Sequence, residues 1–326
     1  MEKAVSIKHL TTVSFEPEAS TLQIAADIYL PENISHTSTL VFFCLPGGGM
    51  NKRYYNLSVP GAEQFSFARQ MIARGHVVVA IDPVGVGDSD RPKDGFSLLP
   101  EAMAEAHAQA VAAIRSGLLA GTLTASLPAL SSVVAVGVGH SVGGLLFTLQ
   151  QARYHSFDGL ALLGVGAGGL PQDLTDTERP FIDNPAALRA NLRSLAQARF
   201  GKPYFNLETR GRGRALFGGH ANQDALVAIR EQASATLLAT TCMLAMMPGS
   251  CRDYFAALTV PVLIASGDDD MAGAPRDLAP YLSGCPDLTL VTLEKTGHSH
   301  FAFPSCAQLF ERMHQWGRSV SSIKAE

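Results

Sequence analysis

The pentapeptide Gly139-His140-Ser141-Val142-Gly143 sets a serine between two glycines, and Gly144 follows directly. The apolar run SVVAVGV (132–138) precedes it and a helix-length segment (143–154) follows. A serine on a sharp strand-to-helix turn is presented as a nucleophile, and its flanking glycines are needed because such a turn has no room for neighbouring side chains. The start of the helix adds partial positive charge that stabilises developing negative charge. The plainer reading is a tight turn whose serine caps a helix; strand before and helix after favour the nucleophile. Serine chemistry also needs a base, a group that orients the base, and donors for an oxyanion. The types present are His298 and His300 in Gly297-His298-Ser299-His300, the successive carboxylates Asp268, Asp269 and Asp270, and the loop Leu45-Pro46-Gly47-Gly48-Gly49-Met50.

These residues lie at the ends of short runs that read as strands: 22–30, 39–45, 76–82, 132–138, 159–165, 261–267 and 288–293. Several runs are apolar throughout, as expected of parallel strands covered on both faces. Helix-length segments near 62–74, 100–119, 143–154, 275–283 and 305–318 separate most of them, which predicts a doubly wound α/β sheet. The first two strand candidates have no helix between them, which predicts an antiparallel start. From about 168 to 256 the rhythm breaks: the segment reads as helices and loops, with PAALRANLRSLAQARF (185–200), a glycine-rich turn (209–220) and DALVAIREQASATLLATTCMLAMM (224–247). Such an insertion between two core strands predicts a cap over the ends of the sheet.

With these elements placed, nearly the whole chain resembles the α/β-hydrolase superfamily, whose functional residues follow in the order Ser…Asp…His. The resemblance implies a mostly parallel sheet with helices on both faces, a core of residues 1–167 and 257–326, and a cap at 168–256. Its acid usually stands three residues after a glycine on the strand following the cap; from Gly267 that selects Asp270. Asp268 and Asp269 stay open as alternatives, with a solvated turn as their plainer reading. Its histidine stands in a Gly-His pair after the last strand, which selects His298, with His300 as competitor. His298 would take the Ser141 proton and return it to the leaving group while Asp270 holds the imidazole. Pro46 stands where many relatives carry histidine. Because backbone N–H groups make the oxyanion hole, the expected donors are Gly48 and Val142, with Gly49 as a third. The loop Asp82-Pro83-Val84-Gly85-Val86-Gly87-Asp88-Ser89 resembles a structural turn of the family.

The activity implied is hydrolysis of a small-molecule, ester-like substrate through an acyl-enzyme, with no cofactor. Thioesterase, lactonase, amidase and carbon–carbon bond hydrolase activities remain open on the same residues. So do a cofactor-free haloperoxidase-type reaction and a non-catalytic ligand-binding role. Serine instead of aspartate at the turn counts against haloalkane dehalogenases and the related epoxide hydrolases. His140 is expected to line the site, and Met243 and Met247 to wall an apolar pocket, although cap-core packing is the blander reading for the methionines. Arg210, Arg212 and Arg214 are open to an anionic substrate or to plain solvation; Asp176, Glu178, Asp183 and Glu208 weaken any positive field.

Composition narrows the classes. Hydrophobic residues are 47% and charged residues 17% of the 326, which suits a packed globular chain. A net charge of −4 without a dense Lys/Arg run gives no electrostatic reason for a nucleic-acid partner. Gly-Lys-Ser/Thr is missing after the glycine loop, as is a dinucleotide fingerprint. The five cysteines lack metal-ligand spacing and suit a reducing, cytoplasmic setting. No apolar stretch reaches the roughly 18 residues of a spanning helix, so no membrane insertion is expected.

Overall fold

The computed structural model describes residues 5–32, 34, 39–124, 129–206 and 220–325. Its centre is an eight-stranded sheet, ordered β1-β2-β4-β3-β5-β6-β9-β10. These strands are β1 (Val5–Phe15), β2 (Ser20–Leu30), β3 (Thr39–Leu45), β4 (Val77–Ile81), β5 (Val133–His140), β6 (Gly159–Leu163), β9 (Val262–Gly267) and β10 (Leu288–Leu293). From β4 to β10 every pairing is parallel, while β2 runs antiparallel to both β1 and β4. The antiparallel start therefore exists, but the partner of β2 is β4 and not the next strand in the chain.

Alternation along each strand divides the interior into two cores. Val41, Phe43 and Leu45 of β3 enter one, and Leu40, Phe42 and Cys44 enter the other. The first core is closed by α2 (Pro100–Ala120) and α3 (Val142–Tyr154), through Met103, Ile114, Leu145 and Leu149. The second is closed by α1 (Phe67–Ile72) and the carboxyl-terminal helix Cys306–Ala325, through Phe67, Met71, Phe310 and Met313. With both faces covered, β3, β4, β5, β6 and β9 are buried at every position. Strand β1 escaped the sequence reading although Val13 and Phe15 alternate into the first core.

Between β6 and β9 the chain forms α4 (Pro185–Phe200), β7 (Tyr204–Phe205), α5 (Gln223–Ala228), a π-helical turn (Ile229–Ala233), β8 (Leu237–Leu238), α6 (Ala239–Met246) and α7 (Arg252–Ala256). One difference from expectation stands out. A small antiparallel ribbon pairs Tyr204 with Leu238 and Phe205 with Leu237. Within 224–247 the helices are interrupted where Ala233 O accepts from Asn51 N and Ala235 N donates to Gly49 O. After β9 come α8 (Pro275–Leu278) and, beyond β10, α9 (the Cys306–Ala325 helix). No helix among the described residues is long and apolar enough to cross a membrane.

Candidate active site

Ser141 stands between the end of β5 and the first residue of α3, at φ 51° and ψ −121°, a strained conformation for a residue with a side chain. Its N–H donates to Leu163 O of the neighbouring strand at 2.8 Å, which fixes the turn against β6. The glycines are there for approach. A Cβ on Gly139 would stand 2.6 Å from Gly144 N, and one on Gly143 would strike the carbonyl oxygens of Leu45 and Pro46. Both obstacles are main chain and cannot swing aside.

His298 hangs on the loop after β10, with Nε2 2.9 Å from Ser141 Oγ and Nδ1 2.7 Å from Asp270 Oδ1. Since a carboxylate only accepts, Nδ1 carries the hydrogen and Nε2 is left to accept from the serine. Asp270, three residues past β9, has a fully buried carboxylate that also accepts from Ala272 N at 2.8 Å and from His300 Nε2 at 2.7 Å. Burial would raise the Asp270 carboxyl, but the charge and hydrogen bonds of His298 and His300 hold it well below the usual range. Asp268 and Asp269 are exposed, and Asp268 is occupied with Lys295 N and Thr296 N at 2.9 and 3.0 Å. Gly164 leaves the space for this arrangement: at φ +60°, a Cβ there would meet His298 Nδ1 at 3.0 Å.

The glycine loop after β3 lies over the turn. A Cβ on Gly47 would come within 3.2 Å of Ser141 Cβ, and one on Gly48 within 3.4 Å of Val142 Cγ2. The N–H groups of Gly48 and Val142 donate to no acceptor among the described residues. Two supports hold the loop. Beneath it, buried Lys52 donates through Nζ to Asp82 Oδ2 at 2.7 Å and Asp88 Oδ2 at 2.5 Å, while its N–H donates to Asp82 Oδ1 at 2.7 Å. Above it, Asn51 N donates to Ala233 O and Ala235 N to Gly49 O, both at 2.8 Å.

Residues 42–310 match the sequence profile described as the Alpha/beta hydrolase family. The chain belongs to the alpha/beta hydrolase family. No curated protein matches it in sequence. Its fold is similar to that of a peroxisomal alpha-beta-hydrolase from Saccharomyces cerevisiae, at 15% identity and TM-score 0.63 over 98% of this chain and 90% of that one. A thermophilic esterase from Thermogutta terrifontis is similar at 15% identity and TM-score 0.55, over 96% of this chain and 99% of that one. A bromoperoxidase from Bacillus anthracis is similar at 15% identity and TM-score 0.57, over 95% of this chain and 100% of that one. At such identities the likeness is one of fold.

In this alpha/beta hydrolase a cavity of about 480 Å³, partly open to solvent, lies over Ser141 and His298. Leu145, Val165, Leu170, Ala245, Met271 and Ala272 line it, with no Asp, Glu, Lys or Arg among the described lining residues. A second recess of about 280 Å³ shares Val142 with it and runs along Gly47, Gly48 and Gly49 toward Met103, Leu146 and Leu238. The expected substrate contacts need correction. Met243 and Met247 are buried in the first core, because the exposed side of α6 turns Ala245 to the cavity instead. His140 does not line the cavity either: it points beneath, donating from Nε2 to His298 O at 2.8 Å and packing 5.0 Å from the Tyr54 ring. Burial first, then the neighbouring His298 and His300, push the His140 imidazole well below its ordinary value. Arg210, Arg212, Arg214 and Glu208 lie outside the described residues. Lys52, Gly164, Leu145, Val165, Leu170 and Ala245 went unread because their roles arise from contacts distant in sequence.

Proposed function

We propose that this chain is a serine hydrolase that cleaves an uncharged carboxylic ester through an acyl-enzyme. The observation that carries this reading is the continuous hydrogen-bonded line from Ser141 Oγ through His298 to buried Asp270, beneath an uncharged cavity. As His298 Nε2 takes its proton, Ser141 Oγ attacks the ester carbonyl. Asp270 holds the imidazole tautomer and stabilises the imidazolium that forms. Negative charge on the carbonyl oxygen is met by the N–H groups of Gly48 and Val142, with Gly49 as a further candidate, each such donor contributing about 3 kcal/mol in the transition state. His298 then protonates the leaving alcohol, and water activated by the same imidazole releases the acid.

In this reading residues 168–256 act as a cap. Support comes from Gly169, Leu170 and Ala245, which this segment contributes to the cavity wall. Specificity is apolar and neutral, because charge on the substrate near the scissile bond would be buried without a partner. Hydrolysis of p-nitrophenyl esters of increasing acyl length, comparing wild type with Ser141→Ala, tests the proposal. Turnover by wild type alone is expected, with uncharged esters preferred over half-esters carrying a carboxylate. Equal turnover by the variant sinks it.

A further inference from the structure

Two buried imidazoles hold Asp270, and only one of them belongs to the proposed triad. His300 lies on the same loop as His298, is fully buried, and brings Nε2 to 2.7 Å from Asp270 Oδ2. The other oxygen, Oδ1, serves His298 Nδ1 at 2.7 Å and Ala272 N at 2.8 Å. Because the carboxylate can only accept, His300 Nε2 carries a hydrogen and donates it. His300 Nδ1 has no hydrogen-bond partner among the described residues, so the contact to Asp270 is the one that orients the ring's hydrogen-bonding edge.

The ring is fixed from several sides. His140 of β5 meets it edge-on at 5.6 Å. The next residue, Phe301, stacks on Tyr54 at 4.7 Å and on Phe67 at 5.9 Å. The titratable groups that face it are thus Asp270 from the loop after β9, His140 from the end of β5 and His298 from its own loop, with Tyr54 one step further out against His140 and Phe301.

We propose that His300 is a positioning residue, pinning Asp270 Oδ2 with its Nε2–H so that Oδ1 is presented to His298 at a fixed angle. The inference rests on the reading of Ser141, His298 and Asp270 as an acyl-transfer triad. A carboxylate held at one oxygen can turn about its own axis; held at both, it cannot. The second donor also shares the carboxylate's negative charge between two rings, which moderates its pull on the proton of His298. Removing that donor therefore loosens the geometry of the base and strengthens its hold on a proton.

The test compares wild type, His300→Phe and His300→Gln by kinetics and by proton NMR with ¹⁵N-labelled histidine. Wild type is expected to show two low-field imidazole N–H signals, from His298 Nδ1 and His300 Nε2, and His300→Phe only the first. His300→Phe should lower kcat roughly ten- to a hundredfold with little change in KM, and move the acid limb of kcat/KM up by about one pH unit. His300→Gln, whose amide N–H reaches nearly the same point, should return the limb to its wild-type position. A wild-type spectrum with the His300 hydrogen on Nδ1 overturns the proposal, and it decides the matter even where His300→Phe fails to fold. An unmoved limb in His300→Phe, with His300→Gln equally slow, also overturns it, leaving His300 a packing residue. Should no ester be hydrolysed by wild type, the acyl-transfer reading fails, while the two N–H signals still report whether His300 holds Asp270.

Discussion

Each of the three neighbouring aspartates has its own surroundings, and these separate their roles. Asp270 is buried between two imidazoles, whereas Asp268 is exposed and ties the β9 loop to Lys295 and Thr296. Asp270→Asn is expected to lower kcat by about 10⁴-fold by favouring the wrong imidazole tautomer. Asp268→Asn should keep kcat within about threefold and show itself as a lower Tm, since it loses about 1 kcal/mol of loop hydrogen bonding. Steady-state kinetics and thermal unfolding on both variants distinguish these outcomes; a crippled Asp268→Asn beside an active Asp270→Asn would reverse the assignment. The pH behaviour follows from the two imidazole partners. Burial raises and the two histidines more strongly lower the Asp270 carboxyl, so its ionised state is kept above the ordinary carboxylate range and lost only far below it. Asp268→Asn and Asp269→Asn are therefore expected to leave the pH–rate profile unchanged, which the pH dependence of kcat/KM checks.

At the level of elements, the turn and the glycine loop depend on main-chain approach. Gly143→Ala sets a methyl group against the carbonyl oxygens of Leu45, at the end of β3, and Pro46, at the start of the glycine loop. It should cost about 3 kcal/mol and displace Ser141, with activity falling more than about a hundredfold, as read by denaturant unfolding and ester hydrolysis. The bond from Ala235 N to Gly49 O couples the segment between β6 and β9 to the same loop. Ala235→Pro removes that N–H, and Ser234 already has the extended ψ of 137° that suits a residue before proline. The expected result is a roughly tenfold lower kcat with KM nearly unchanged, because the oxyanion donors proposed for this loop would act on the transition state. A change in KM alone would mean that this bond shapes the pocket and not the oxyanion donors.

Across the whole molecule, burial of histidines links stability to pH. His107 is pushed down to about 3 by burial, and His76 to about 4 by burial together with His314, Arg74 and Arg318. His140 is depressed as well, by burial and by its two histidine neighbours. Unfolded, each returns to an ordinary value near 6.5, so the unfolded chain takes up protons first as the pH falls. Their contribution is complete above that value and is lost progressively toward the folded values. Between about pH 7.5 and pH 5.5 each should subtract about 1 kcal/mol from the unfolding free energy. Urea unfolding at both values checks this, and His107→Gln should remove about one histidine's share; a pH-independent stability would contradict it.

Short-range pattern carried much of this protein in its sequence. The unbroken apolar runs marked five parallel strands because burial on both faces leaves no polar alternation, and glycines around Ser141 marked a turn that admits no Cβ. Gly-His and Gly-Asp-Asp-Asp located the loops where His298 and Asp270 stand. Long-range adjacency was not legible. Nothing local places β4 between β2 and β3, brings Asp270 and not Asp268 to His298, or lays residues 233–235 beside Gly49 and Asn51. Met243 and Met247 looked like pocket walls by type, but the way α6 packs turned them to the core and left Ala245 on the cavity. The second donor on Asp270 belongs with these: residue spacing names His300 a rival to His298, and only the folded loops let both imidazoles share one carboxylate.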